Sequence, residues 1–399
     1  MNFDHIDSLP GMQNDPDLPE EPLIEPVTQR VWASAHENDR KSKYGHRDIV
    51  GYGKIPVNPN WPKGGKVALN FVINYEEGGE NCILHGDTQS EHLLSDIVGA
   101  EPMIGDRNPN MESMYDYGSR CGFWRLHRLF TSRKVPVTVF AVGMALERNI
   151  HAAGAMKEAE WEVASHGYRW IDYTNVDEET EREHIARTIE IHQNLLGKRP
   201  YGFYQGKPNV NTRRLVVEEG GFLYDSDSYS DDLPYWNMEY ANGRPHLIIP
   251  YTLTENDMRF TTSNGWSEAG DFCKHLKETL NFLIAEGRAG QPKMMTVGLH
   301  CRLARPARVA AIQEFLDYAK SYGRDVWICT REEIANHWYE HHLPRGIGSP
   351  INPATFPSGT SSAASRFSFL GNLNVPRDQQ GALAPPTKLA ATSEDGDII

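Results

Sequence analysis

The chain has 399 residues, with 54 acidic side chains against 40 Lys plus Arg, a formal net charge of −14, and 39% apolar and 24% charged residues. Those proportions exclude a collagen-like, coiled-coil or wholly disordered chain, and the length allows one large domain or two ordinary ones. The acidic balance argues against a nucleic-acid binder, whose phosphate affinity needs clustered Lys and Arg, and against an anionic membrane surface.

Residues 1–50 are rich in Pro, Asp and Glu with little hydrophobic periodicity. They read as an extended arm lying over the domain or a neighbouring subunit, and a homo-oligomer is expected. The opening Met1-Asn2-Phe3-Asp4-His5 lacks a basic n-region and an apolar h-region, and runs such as 67–73 are too short to cross a bilayer. Five scattered cysteines without a C-x-x-C pair fit a reducing compartment. A cytoplasmic protein is the expectation.

From residue 51 the punctuation becomes regular. Apolar, β-branched runs at 67–74, 135–142, 162–166, 201–205, 247–251, 294–300 and 326–329 each have the length of a buried strand. Helical patterns fall between most of them, at 118–134, 144–160, 178–196, 212–219, 270–287 and 307–322. The third carries Asp177 as candidate N-cap, acidic residues in its first turn and Gly197 as a stop. Strands alternating with helices imply a mainly parallel sheet, and about seven such units within 51–345 favour a (β/α) barrel. Beyond 346 the chain is rich in Pro, Ser, Thr and Gly and ends in an acidic cluster. That tail is expected to be disordered.

A barrel puts its chemistry at the C-terminal ends of strands. The first strand runs into Glu76-Glu77-Gly78-Gly79, the third into His166-Gly167, and the sixth into His300-Cys301-Arg302. One histidine at a strand end is weak evidence. Two histidines and a carboxylate pair on one rim suit hydrolytic acid–base work.

These residues also carry a family resemblance. The order of an acidic pair before Gly, then Ser165-His166-Gly167, then Arg199-Pro200, an Asp-rich segment and Gly298-Leu299-His300 resembles the polysaccharide deacetylases with NodB homology. The resemblance implies a deformed (β/α) barrel and a divalent metal held by one Asp and two His. The family motifs read T-F-D-D-G and H-S/T-x-x-H; here stand Asn-Tyr-Glu-Glu-Gly at 74–78 and, in place of the second histidine, Trp170. The strings FVINYEEGGENCILHGD (71–87), GFLYDSDSYSDDLPYW (221–236) and PYTLTENDMRF (250–260) are similar to the branch of cofactor-independent allantoinases, which also includes a fungal chitin deacetylase.

Both reactions of that branch add water to an amide carbonyl. Trp cannot ligate a metal, so no metal site and no cofactor are expected, with zinc expected only if the protein is a chitin-type deacetylase. Glu76 and Glu77 are then the candidate acid–base pair, because like charges in one pocket push their pKa values apart. His166 and His300 are candidate stabilisers of the oxyanion. Trp170, Tyr204, Asn256, Asp257 and Arg259 are candidate substrate contacts: aromatic walls for a flat ring, and amide and guanidinium groups for ureido oxygens. Asp227 or Asp231 is expected to orient a histidine. The Asp-rich run 225–236 fails the EF-hand template at its sixth and twelfth positions, Ser230 and Trp236. Cys82 and Cys301 lie near site residues, but nothing marks either as a thiolate. The expected activity is hydrolysis of a small cyclic ureide, allantoin to allantoate. A chitin-type N-deacetylase is the alternative, and a decayed carbohydrate-binding relative the third reading.

Overall fold

A computed structural model of the protein describes residues 47–239 and 245–344. The expected tail, and the expected arm up to residue 46, lie outside the described residues. In chain order the elements are β1 (Val67–Tyr75), α1 (Pro109–Tyr117), α2 (Phe123–Ser132), β2 (Thr138–Ala141), α3 (Gly143–Arg148), α4 (Ile150–Glu158) and β3 (Glu162–Ser165). There follow α5 (Glu178–Leu196), β4 (Gly202–Phe203), α6 (Thr212–Glu219), β5 (Tyr224–Asp225), β6 (Tyr235–Asn237) and β7 (His246–Ile248). The last are α7 (Ala269–Arg288), β8 (Lys293–His300), α8 (Pro306–Ser321), β9 (Val326–Ile328) and α9 (Arg331–His341).

The strands form one sheet in the order β6-β7-β5-β4-β3-β2-β1-β8, with β9 also pairing β1. Every neighbour pair is parallel except β6 with β7. β9 lies along the first part of β1, at Val67–Leu69, while β2 takes its last part from Val72. Between β7 and β8 there is no ladder. A single bridge, Asn256 to Gly298, closes that gap, with Gly298 N donating to Glu255 O at 2.9 Å. A Cβ at Gly298 would meet the Asn256 amide at 2.4 Å, so glycine is what lets the two segments touch. The result is a deformed (β/α) barrel.

All nine residues of β1 are buried, because both faces of the strand are covered. Val67, Leu69, Phe71, Ile73 and Tyr75 pack under the helices with Phe123, Leu126, Phe130 and Phe315. The alternate set, Asn70, Val72 and Asn74, faces the barrel interior. Val72 joins Phe140, Ala164, Tyr204 and Tyr251 there. The inner polar groups are satisfied by one another: Asn74 Nδ2 donates to Tyr251 Oη at 2.9 Å, and Asn70 to Thr138 Oγ1 at 3.2 Å. Arg331, at the start of α9, closes the interior with bonds to Asn70, Thr296, Ser226 and two carbonyls.

Several expected bounds shift. Among the described residues nine strands replace about seven, because the short β5 and β6 overlap the Asp-rich run, where no apolar run marks a strand. The polar residues of β5 find partners across the sheet and on its flank. Tyr224 Oη donates to Glu162 at 2.6 Å, and Asp225 meets Arg213 and His246 at 3.1 Å each. The helix expected at 118–134 begins nine residues earlier, where the Asn108 side chain accepts from Met111 N and Pro109 occupies the first position. The pattern at 144–160 divides into α3 and α4 at Asn149, whose side chain caps the second. α9 was missed, although Thr330 and Glu333 form a capping box at its start. Helix α5 spans the expected 178–196, capped by Asp177 and stopped by Gly197 at φ 80°.

Candidate active site at the barrel mouth

Strand alternation aims the site. Asn70, Val72 and Asn74 point inward on β1, and the next residue in that phase is Glu76. On β3 Glu162 and Ala164 point inward, and the next in phase is His166. On β8 Thr296 and Gly298 face inward, followed by His300. Three strands therefore deliver three polar side chains to one mouth. Glu76 Oε1 lies 3.2 Å from His166 Nε2 and 3.6 Å from His300 Nε2. Glu76 and His166 are each 1% exposed.

Glu77, one residue out of phase, turns to the other face of the sheet. It accepts from the backbone N–H of Arg302 at 3.0 Å and of Glu76 at 3.2 Å, and it packs where α1 meets α2. One wide turn, Gly118–Gly122, joins those helices. A Cβ at Gly118 would stand 2.3 Å from the Glu77 carboxylate and one at Gly122 1.8 Å from Cys301 O, so both glycines are set by close approach.

Sequence reasoning missed the residue that ties this cluster together. Arg302 is fully buried, in the turn after His300. Its Nη1 reaches Glu76 Oε2 at 2.6 Å and Glu77 Oε1 at 3.6 Å, and its Nε donates to Leu94 O at 2.6 Å. The available signal was a cation two residues after a site histidine. Burial pushes the Glu76 carboxyl up, but Arg302, His300 and His166 together hold it well below the usual carboxylate range. Burial also pushes Glu77 up; Arg302 opposes this, yet with the Glu76 charge beside it the carboxyl stays raised. The two neighbouring carboxyls are thus pushed in opposite directions.

Asp257 is brought into the site as the partner of His300: its Oδ1 is 2.7 Å from Nδ1, and its Oδ2 accepts from the His300 backbone N–H at 2.9 Å. This corrects the expectation for Asp227 and Asp231. Asp227 instead accepts from the N–H groups of Gln205 and Gly206, and Asp231 from that of Leu233. Trp170 is buried beside the cluster, its ring 3.6 Å from the Lys207 ammonium and 5.0 Å from the Arg302 guanidinium. Tyr204 packs against His166 with ring centroids 5.0 Å apart.

Two further expected substrate contacts have partners within the chain. The Asn256 side chain accepts from Met258 N and donates to Thr252 O, holding the turn before Asp257. Arg259 stacks on Trp266 at 5.1 Å. Burial pushes up the thiols of Cys82 and Cys301, which disfavours a thiolate at either. A cavity of about 350 Å³ lies against Thr174, Pro208 and Asn211, and another of about 210 Å³ against Arg213, Asp225 and Asp227. Neither is lined by Glu76, His166 or His300.

The polysaccharide deacetylase family model matches residues 106–219. A Schizosaccharomyces pombe protein named "Putative polysaccharide deacetylase" is 41% identical over 317 residues, which cover 75% of this chain and 98% of that one. The chain belongs to the polysaccharide deacetylase family. Among solved structures of its relatives, PuuE allantoinase shares 54% identity, covering 74% of this chain and 98% of its own, with a TM-score of 0.73. A Pseudomonas aeruginosa PAO1 protein titled "probable Polysaccharide deacetylase" shares 54% identity over the same proportions, with a TM-score of 0.72.

The deacetylase-type metal would fall to Glu77, His166 and position 170. These residues do not fit it. Both Glu77 oxygens accept from backbone N–H groups, His166 Nε2 turns to Glu76, and Trp170 offers no lone pair. Among the described residues no group of three His, Cys, Asp or Glu side chains is arranged to hold a metal ion. A guanidinium already lies between the two carboxylates. No helix among the described residues is long and apolar enough to cross a membrane.

Proposed function

We propose that this deacetylase-family hydrolase acts on a cyclic ureide, opening allantoin to allantoate without a metal. The observation that carries the reading is the guanidinium shared by Glu76 and Glu77, with Trp170 at the position of a metal-binding histidine. The 54% identity with PuuE allantoinase supports the same substrate. Glu76, ionised and in reach of both histidines, takes a proton from water as its oxygen adds to the ring carbonyl carbon. The ring C–N bond then breaks, and the nitrogen takes a proton from His300, held in one orientation by Asp257. His166 braces the Glu76 carboxylate. The Trp170 indole fills space beside the cluster, which suits a compact planar ring better than a polymer lying in a groove.

The names of two relatives favour a second reading, N-deacetylation of a chitin-type polymer. Incubating the purified protein in parallel with allantoin and chitin oligomers separates the two. Allantoate formation without acetate release is the expected result. Acetate release with allantoin untouched installs the second reading, and inertness toward both would leave a decayed relative.

A further inference from the structure

We infer that Arg302 is a catalytic residue: its second terminal nitrogen, Nη2, receives the carbonyl oxygen of the scissile amide and the negative charge that forms there when water adds. The inference rests on the hydrolase reading above, whichever amide is cleaved.

The guanidinium fork has three positions that donate hydrogen bonds, and two are taken. Nη1 is on Glu76 Oε2 at 2.6 Å and Nε on Leu94 O at 2.6 Å. Nη2 is buried and has no partner among the described residues. A buried charged donor without an acceptor is costly, so this nitrogen calls for an acceptor that the described residues do not supply. The plane is also pinned from its faces, with the Tyr115 ring 4.4 Å and the Trp170 ring 5.0 Å from Cζ. Burial opposes its charge, but Tyr115, Glu76 and Glu77 keep the group a guanidinium. A fixed cation whose donor needs no reorganisation is what an oxyanion site requires.

One planar group thus sets two reacting partners side by side. Nη1 holds the base, and Nη2 the oxygen of the carbon that the base-activated water attacks. As the water oxygen bonds to that carbon, its proton passes to Glu76 and the carbonyl π pair moves onto the oxygen facing Nη2. When the pair returns, the C–N bond breaks and the nitrogen takes the proton from His300. Metal-binding relatives implied by the motif resemblance would use an ion for this polarisation. Here the cation is part of the chain.

The test uses the full-length protein and its Arg302→Lys variant, assayed on allantoin and on chitin oligomers, with circular dichroism melting to confirm the fold. Lysine keeps a positive charge for Glu76 but has no second fork nitrogen. The expected result is a fall in plateau kcat of about 10²–10³-fold on whichever substrate the wild type turns over, with the acid limb of the pH profile unmoved. Arg302→Gln, a donor without charge, serves as second variant should lysine fail to fold, and is expected to lose a comparable factor. Near-wild-type kcat in a folded variant, or a loss that is wholly a shift of the acid limb, overturns the inference and leaves Arg302 a partner of Glu76 only. The plateau loss seen on chitin oligomers, with allantoin untouched, upholds Arg302 while sinking the ureide reading. A wild type inert toward both sinks both.

Discussion

Three groups converge on the Glu76 carboxylate: His166 and His300 at Oε1, and Arg302 at Oε2. Each favours its charged form, so of the two adjacent acids it is the one held ionised and free to accept a proton, while Glu77 is occupied by backbone donors. Glu76→Gln keeps the shape and removes the proton acceptor. Steady-state turnover should fall by about 10²–10⁴-fold with the melting temperature nearly kept. An unchanged rate would move the base elsewhere. Trp170→His is the complementary change, because it returns a ligand to the position where the family motif has one and removes a ring from beside the cluster. Elemental analysis should show more bound zinc than in the wild type, and turnover of the native substrate should drop. The wild type should keep its rate after exhaustive chelation; loss to chelator with recovery on adding zinc would reverse the mechanism.

Elements meet in this protein through a few close approaches. The wide turn between α1 and α2 brings the helix backbone onto the turn that carries Arg302, and Gly122 is the contact. Gly122→Ala would drive a methyl group into the Cys301 carbonyl. Overpacking of this kind costs about 1–3 kcal/mol, so a lowered melting temperature is expected. Turnover should fall with it, since the displaced segment holds both His300 and Arg302. A variant as stable and active as the wild type would show that the helix can shift freely there. The loop after β1 is tied to the same turn: Arg302 Nε donates to the Leu94 carbonyl, and Arg305 and Arg308 both reach Asp96.

At the scale of the whole molecule, stability should depend on pH from both sides. Burial raises Glu80, Asp227 and Glu332 to about 7. The folded chain keeps these protons where the unfolded chain has already released them. Stability therefore falls as pH rises from the usual carboxylate range toward 7. Asp225 and Glu255 act in the opposite sense. Burial pushes each up, but Arg213 and His246 hold Asp225 down to about 2, and His275, Thr254 and Thr252 hold Glu255 there too. Their contribution is present above the usual range and is lost as pH falls toward 2. Melting temperature should thus peak at mildly acidic pH and decline toward pH 8, and Asp227→Asn should flatten the decline. A flat profile from mildly acidic pH to 8 would mean that these carboxyls are ionised in the folded state.

The strand set, the helix α5 with both its ends, and the rim positions of Glu76, His166 and His300 were legible because periodicity and local capping are encoded within a few residues. The interior phase of each strand was legible in the same way. β5 was not, since two polar residues become a strand only when Glu162, Arg213 and His246 arrive from elsewhere to satisfy them. Asn256 and Arg259 were named for chemistry that suits a ureide; only the fold shows that the first holds the turn before Asp257 and the second stacks on Trp266. Asp257 looked like a substrate contact, and only the closure of β7 onto β8 made it the partner of His300. Arg302 stood in plain view two residues after that histidine. Its sequence neighbourhood says nothing of Glu76, 226 residues away, or of the Tyr115 and Trp170 rings. Periodicity determines which way a side chain points; what it meets there depends on contacts between segments far apart in the chain, which only the closed barrel brings together.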